Sequence, residues 1–323
     1  MRGLLLARLN AESAFNTGSF MRRKFHTLDV FTTSALSGNP LAVVLDCEGL
    51  DDARMQKIAQ EFNTPETVFV FDARDQMNTA RLRIFTPGRE LPFAGHPTVG
   101  TAVLLASLRA PELLAREDVR VVLEEKVGDV HCIVRHMRGQ AARASFVLPR
   151  LPEIVGPLGA NSDIAAALGL EAGDIGFGDY VPVRASAGVP FCFVPVSDRD
   201  VLGKIKLNMA AWAAAFGGAG FEPVYVYCAD AAGAGHAFRA RMFAPDMGIP
   251  EDPATGAAVA GFSGVIMKFG RPHEGDHTFI IEQGFEMGRP SLITLGLQVE
   301  QGKLIEASIG GHAVLVSSGV IDV

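Results

Sequence analysis

R-I-F-T-P-G-R-E-L-P-F-A-G-H-P-T-V-G at residues 83–100 and R-M-F-A-P-D-M-G-I-P-E-D-P-A-T-G-A-A-V-A-G at residues 241–261 are one pattern written twice. Each copy carries Arg-x-Phe-x-Pro, a short turn, Glu-x-Pro-x-x-Gly and a second Gly five residues on. Arg83 and Arg241 are 158 residues apart, and Gly95 and Gly256 are 161 apart. A weaker echo joins S-G-N-P-L-A-V-V-L (37–45) to A-G-V-P-F-C-F-V-P (187–195), at an offset of 150. Offsets of this size are whole domains, since solenoid repeats run to roughly 50 residues. The repeat therefore predicts two related halves whose equivalent loops face each other across one cleft.

Working outward, K-F-H-T-L-D-V-F (24–31) alternates as a strand and L-A-V-V-L (41–45) reads as a buried one. Residues 50–63 give an amphipathic helix with Met55, Ile58, Ala59 and Phe62 on one face. Residues 97–108 and 257–269 are apolar almost all round, so both are expected as buried helices. The second half is expected to repeat the order, with an Ala-rich helix near 208–216. Separate strands are expected near 278–282, 291–299, 303–308 and 312–317. The expected class is α+β: two pseudo-symmetric halves, each a mostly antiparallel sheet around a central apolar helix. The halves are placed at 21–150 and 151–323, with a return of the last strand to the first half left open. Residues 1–20 are too short in apolar core for a signal peptide and read as a poorly ordered extension.

The 323 residues are 48% hydrophobic and 20% charged, enough for two cores. A net charge of −7 and no Lys/Arg block argue against nucleic acid. No apolar run approaches the roughly 18 residues that span a bilayer. Cys47, Cys132, Cys192 and Cys228 are scattered without a C-x-x-C, so buried free thiols in a reducing cytoplasm are expected, with no metal. Cys132 and His136 are about 13 Å apart along a strand, too far for one ion. P-H-E-G-D-H (272–277) reads as a solvated turn, and G-D-I-G-F-G (173–178) lacks the helix of a dinucleotide fingerprint.

Both repeated loops end in Gly and lead into a helix. Helix starts offer unpaired N–H groups that bind carboxylates, and Gly95 and Gly256 admit close approach. Ordinary strand-turn-helix punctuation is the plainer account of either loop alone; the pair favours an anion site. His96, at a helix start, is expected to be neutral and to act as a hydrogen-bond partner or proton carrier; a capping role is the alternative. Asp252 has the reading of a helix N-cap acid. Glu66, between a helix and an apolar strand, would gain a raised pKa if desolvated, as a general base needs; the solvated loop acid is the larger local expectation.

D-V-F-x-x-x-x-x-S-G-N-P-L-A-V-V, N-T-P-E-T-V-F, R-I-F-T-P-G-x-E-L-P-F-A-G-H-P-T-V-G-T-A, R-M-F-A-P, E-D-P-A-T-G-A-A and G-R-P-S (288–291) together resemble the PhzF-like phenazine-biosynthesis proteins, from about residue 24 to the end. These share the diaminopimelate-epimerase fold with proline racemases. The resemblance implies a cofactor-independent isomerase, a homodimer, and a small carboxylate substrate. Epimerase relatives place one cysteine in each loop; Ala94 and Thr255 stand there, which excludes a two-thiol racemase. Glu66 takes the family's proton-shuttling place, and His96 and Asp252 match its other polar site residues. Asn39, Gly95, Thr255, Gly256 and Ala257 match its binding positions. The chain departs from the family pattern at Pro65 and Ala257, where serine is usual, and Ala257 removes a hydroxyl from the expected carboxylate site. Isomerisation of trans-2,3-dihydro-3-hydroxyanthranilate is the named family reaction. An epimerase with non-thiol bases and a non-catalytic binding protein are the alternatives.

Overall fold

A computed structural model describes residues 21–217 and 222–323; the expected N-terminal extension, 1–20, lies outside them. The first half runs β1 (Arg22–Val30), β2 (Asn39–Val44), α1 (Asp52–Phe62), β3 (Glu66–Phe71), β4 (Ala80–Phe85), β5 (Glu90–Leu91), α2 (Gly95–Arg109), α3 (Pro111–Leu114), β6 (Val119–Glu125), β7 (Gly128–Arg135) and β8 (Arg143–Val147). The second runs β9 (Glu153–Pro157), α4 (Asn161–Leu168), β10 (Val183–Ser186), β11 (Pro190–Pro195), α5 (Arg199–Lys204), α6 (Met209–Phe216), β12 (Val224–Cys228), β13 (Phe238–Ala244), β14 (Ile249–Asp252), α7 (Gly256–Val265), β15 (Gly275–Gln283), β16 (Ser291–Glu300) and β17 (Lys303–Asp322).

The sequence repeat is a repeat of strand pairing. β2 pairs in parallel with β3, as β11 does with β12. Antiparallel partners follow in both halves, β3 with β4 and β12 with β13. Parallel pairs of β4 with β6 and β13 with β15 then span the two buried helices. The α+β class expected from the sequence holds, with α2 and α7 at the centre. Val99, Ala102 and Leu105 of α2 and Val259, Phe262 and Val265 of α7 share one core. Helices apolar on every side have no stripe to turn to water, so each must be enclosed.

The strands β2, β3, β11 and β12 are buried on both faces, which is why they read as unbroken apolar runs. On their outer side α1 covers Val44, Phe69 and Phe71. Asp51 caps the start of α1 and Asn63 ends it in the left-handed conformation. Met55, Ile58 and Ala59 are buried as expected, and Phe62 packs edge-on against Phe25 at 5.0 Å. In the second half, α4, α5 and α6 bury Ile164, Leu202 and Trp212 against Cys192, Val194 and Val224. Of these three helices the sequence reading found only α6.

Two further expectations are corrected. The strands expected at 303–308 and 312–317 are one strand, β17, which pairs with β16, β8 and β1 in turn. Gly310 and Gly311 look like a break but mark close packing. A methyl on Gly310 would sit 2.8 Å from the Ala144 carbonyl oxygen, and one on Gly311 would run into the Phe31 ring. The helix expected over 257–269 is α-helical only to Val265, and Ile266–Gly270 widen into a π turn.

Among the described residues no helix is long and apolar enough to cross a membrane, and no cluster of metal-ligating side chains occurs. The four cysteines are buried and unpaired, as expected. Glu274, within 272–277, accepts from the Gln301 and Gly302 amides and so braces the β16–β17 turn.

Candidate active site

Four of the repeated residues build the turns that aim the helices. Arg83 grips Glu90 with two parallel bonds of 2.8 and 2.6 Å, and Arg241 grips Glu251 at 2.9 and 2.8 Å. Each guanidinium also lies over the phenylalanine two residues on, Phe85 at 5.3 Å and Phe243 at 4.9 Å, because residues two apart share one face of a strand. The motif's Arg, Phe and Glu therefore close the turn, and its Gly shapes the start of the helix. A methyl on Gly95 would sit 3.1 Å from Gly256 Cα, and one on Gly256 would sit 3.2 Å from Gly95 Cα. The starts of α2 and α7 can abut only because neither residue has a side chain. Their unpaired N–H groups and positive dipole ends thus come together across the halves.

Asp252 closes this junction. Its Oδ1 accepts from Asn39 Nδ2 at 3.0 Å, a bond that joins the two halves, and its Oδ2 accepts from the Thr255 hydroxyl. Asn39 Nδ2 also reaches the Ala254 carbonyl at 2.8 Å. Asp252 is thus held by side chains and is not the backbone N-cap that its sequence position suggested. Gln283 completes the frame. It accepts from the Thr255 amide and donates to the Asp252 carbonyl and the Thr255 hydroxyl. Burial pushes the Asp252 carboxyl up to about 6, against the pull of the Thr255 and Asn39 bonds.

Glu66 opens β3, and its Oε2 lies 3.2 Å from Nδ1 of His96 in the first turn of α2. Only 14% of the Glu66 side chain and 6% of the His96 side chain is exposed. Burial, with the nearby charge of Asp252, pushes Glu66 up to about 8. Burial drives His96 down to about 3, only partly offset by the Pro40 carbonyl. The sequence reading of a neutral imidazole agrees, but desolvation, not the helix dipole, is the main cause. Neither Glu66 Oε2 nor His96 Nε2 has a hydrogen-bond partner among the described residues. A cleft of about 950 Å³ is lined by residues 63–65 and by the two repeated turns, 86–89 and 246–252, and so reaches Asp252 and the residue before Glu66.

The arrangement holds a neutral imidazole, a carboxyl poised near neutral pH and a carboxylate around two abutting helix starts. Such a set can bind an anionic group and move a proton. All eight residues singled out in the sequence converge here; Ala257 is half-buried in the first turn of α7, at the repeat position of His96. Sequence reasoning missed three. Gln283 has no local signal. Tyr225 is buried, its hydroxyl without a partner among the described residues, and its pKa is raised by burial and by Asp252. Arg289 lies within the G-R-P-S stretch and binds Asp29 and the carbonyls of Ser37 and Gly38, fixing the turn that presents Asn39. Gly38 stands there at φ +66°, where a methyl would collide with the Val30 carbonyl.

The family model for phenazine biosynthesis-like proteins, PhzC/PhzF, matches residues 28–319. The chain belongs to this family. An uncharacterized isomerase of Mesorhizobium japonicum is 48% identical over 92% of this chain and 98% of its own length. The trans-2,3-dihydro-3-hydroxyanthranilate isomerase of Pseudomonas fluorescens is 32% identical, over 91% of this chain and 97% of its own. The crystal structure of a Bacillus anthracis PhzF-family protein covers 93% of this chain and 99% of its own, with a TM-score of 0.82 and 27% identity. The PhzF relatives named by activity are thus isomerases, and the fold expected from the sequence is that of the family.

Proposed function

We propose that this PhzF-family protein is a cofactor-independent isomerase that moves a proton between two carbons of a small carboxylate substrate. The observation that carries this reading is Glu66, a buried carboxyl raised to about 8 and placed beside His96 and the abutting helix starts. In its ionised form Glu66 takes a proton from an acidic C–H, the electron pair shifts through the adjacent double bond, and the same carboxyl returns the proton at the allylic carbon. Neutral His96, 3.2 Å from Glu66, makes a hydrogen bond to the substrate through Nε2. Asp252, fixed by Asn39 and Thr255, raises the basicity of Glu66 through its charge. The substrate carboxylate sits against the N–H groups of the Gly95 and Gly256 turns, with Thr255 and Ala257 beside it.

Trans-2,3-dihydro-3-hydroxyanthranilate, the substrate in the name of the Pseudomonas fluorescens relative, is the first compound to try. Ala257 in place of a serine leaves this chain one hydroxyl fewer for its substrate. A homodimer in the cytoplasm belongs to the same reading; it is supported by the family resemblance and checked by analytical ultracentrifugation. The test of function is solvent exchange. The protein is incubated in D₂O with that compound and a panel of cyclic and acyclic amino and hydroxy acids and followed by NMR. Deuterium is expected to enter a carbon position with the wild type and not with Glu66→Gln. Inversion at one carbon would instead mark an epimerase. Binding without exchange across the panel would mark a binding protein.

A further inference from the structure

Glu125 ends β6 behind the first turn of α2, and proton transfer by Glu66 makes no use of it. The pairing register makes it the first-half equivalent of Gln283. Arg81 of β4 pairs with Glu124, and Arg239 of β13 pairs with Glu282. Arg81 and Arg239 are 158 residues apart, like Arg83 and Arg241, so the next residues, Glu125 and Gln283, hold matching places. Each grips the helix start of its own half. Gln283 binds the Thr255 amide and hydroxyl. Glu125 lies 2.7 Å from the hydroxyl of Thr98, which also lies 2.8 Å from the Ala94 carbonyl. Ala94 is the repeat position of Thr255; the hydroxyl has moved one helical turn, from 94 to 98.

The form of Glu125 is tied to where the one Thr98 hydroxyl proton points. The Ala94 carbonyl can only accept, and Thr98 has one hydroxyl proton. If that proton goes to Ala94, the contact to Glu125 is a hydrogen bond only when the carboxyl brings its own. The other Glu125 oxygen is buried without a partner among the described residues, and Glu125 is 8% exposed. Around it, Cys132 of β7, opposite Val121 farther along β6, is a neutral thiol, raised by burial and by Glu125, and His96 on α2 is neutral. Arg81 and Arg83 lie on the other face of β4 from the core residues Leu82 and Ile84, and Lys126 is engaged with Glu90. Among the described residues, an ionised Glu125 would have no cation to meet it.

We propose that Glu125 is a positioning residue for the start of α2, acting as the neutral acid and first-half counterpart of Gln283. Burial holds its carboxyl up to about 8, against the pull of Thr98. Above that pH the single Thr98 hydroxyl proton turns from the Ala94 carbonyl to the carboxylate, and a charge stands behind the helix start that, in the proposed isomerase, receives the substrate carboxylate. The proposal rests on that reading only for the effect on the ligand.

Amide hydrogen exchange at residues 98–101, with the first turn of α7 as internal reference, tests the positioning itself. Protection in the wild type is expected to fall several-fold between pH 7 and pH 9.5. In Glu125→Gln it stays at the pH 7 level throughout; in Glu125→Ala it is lost at both. A Glu125→Gln protein as unprotected as Glu125→Ala, or as pH-sensitive as the wild type, overturns the proposal. Benzoate binding is then measured in the Glu66→Gln background, which silences the other carboxyl that titrates near pH 8. Affinity is expected to weaken toward pH 9.5, and to weaken less in Glu66→Gln/Glu125→Gln. Equal weakening counts against Glu125. No benzoate binding at either pH counts against the carboxylate site, and the exchange result then decides Glu125 alone.

Discussion

Glu66, His96 and Asp252 are polar groups where water barely reaches, and their protonation follows from that. A base must be ionised to act, so kcat/KM is expected to rise about tenfold per pH unit below about 8 and to level above it. A profile flat from pH 6 to 9 would remove Glu66 from the base role. Glu66→Gln should lower kcat by about 10²–10⁴, the share of general base catalysis, with an unchanged circular dichroism spectrum. Stability carries the opposite sign. The folded Glu66 keeps its proton while the unfolded one loses it near 4.5, so its contribution is full below that pH and is lost as pH climbs to about 8. Glu66→Gln should therefore melt higher than the wild type at pH 8.5, and the gap should close at pH 4. Little of this was legible locally. Residues 60–70 give Glu66 the look of a loop acid; His96 and Asp252, which set its surroundings, come from 30 and 186 residues away.

At the scale of elements, the repeated turns are held by paired charges and the helix starts by missing side chains. Arg241→Ala leaves Glu251 half-enclosed without its partner and frees the Leu202 carbonyl that Arg241 also binds. The expected cost is about 3 kcal/mol, seen as a lower midpoint in urea. Arg83→Ala should cost less, because Glu90 keeps Lys126 at 2.7 Å. Gly256→Ala inserts a methyl between two backbones that cannot yield without parting. It should cost about 1–3 kcal/mol and raise KM for any carboxylate substrate more than it lowers kcat. An unchanged KM would mean that the turns do not hold the substrate. The amphipathic and all-apolar helices were readable because their pattern is local. The helices α4 and α5 were not: they are eight and six residues long, and their apolar side chains make sense only against β11 and β12.

Across the whole molecule, β17 ties the halves together. Its pairing with β8 joins Ser145 to Gly310, and its last half covers the edge of β1. A chain ending at His312 would leave β1 without that partner and the β1 edge unpaired. It is expected to be insoluble or to lack a cooperative melting transition; a folded, soluble product would show that the two halves do not need this strand. The sequence by itself determined the α+β class and the duplication, because a repeat with Arg, Phe, Pro, Glu and Gly in fixed order survives as pattern without any knowledge of contacts; the full set of eight residues that gather at the junction came with the family resemblance. Only the tertiary structure decided that the two helix starts touch, that β17 is continuous, that Gln283, Arg289 and Glu125 brace the site, and that Glu66 is a buried acid. Burial and long-range hydrogen bonds set these properties, and both depend on residues that the chain brings together only on folding.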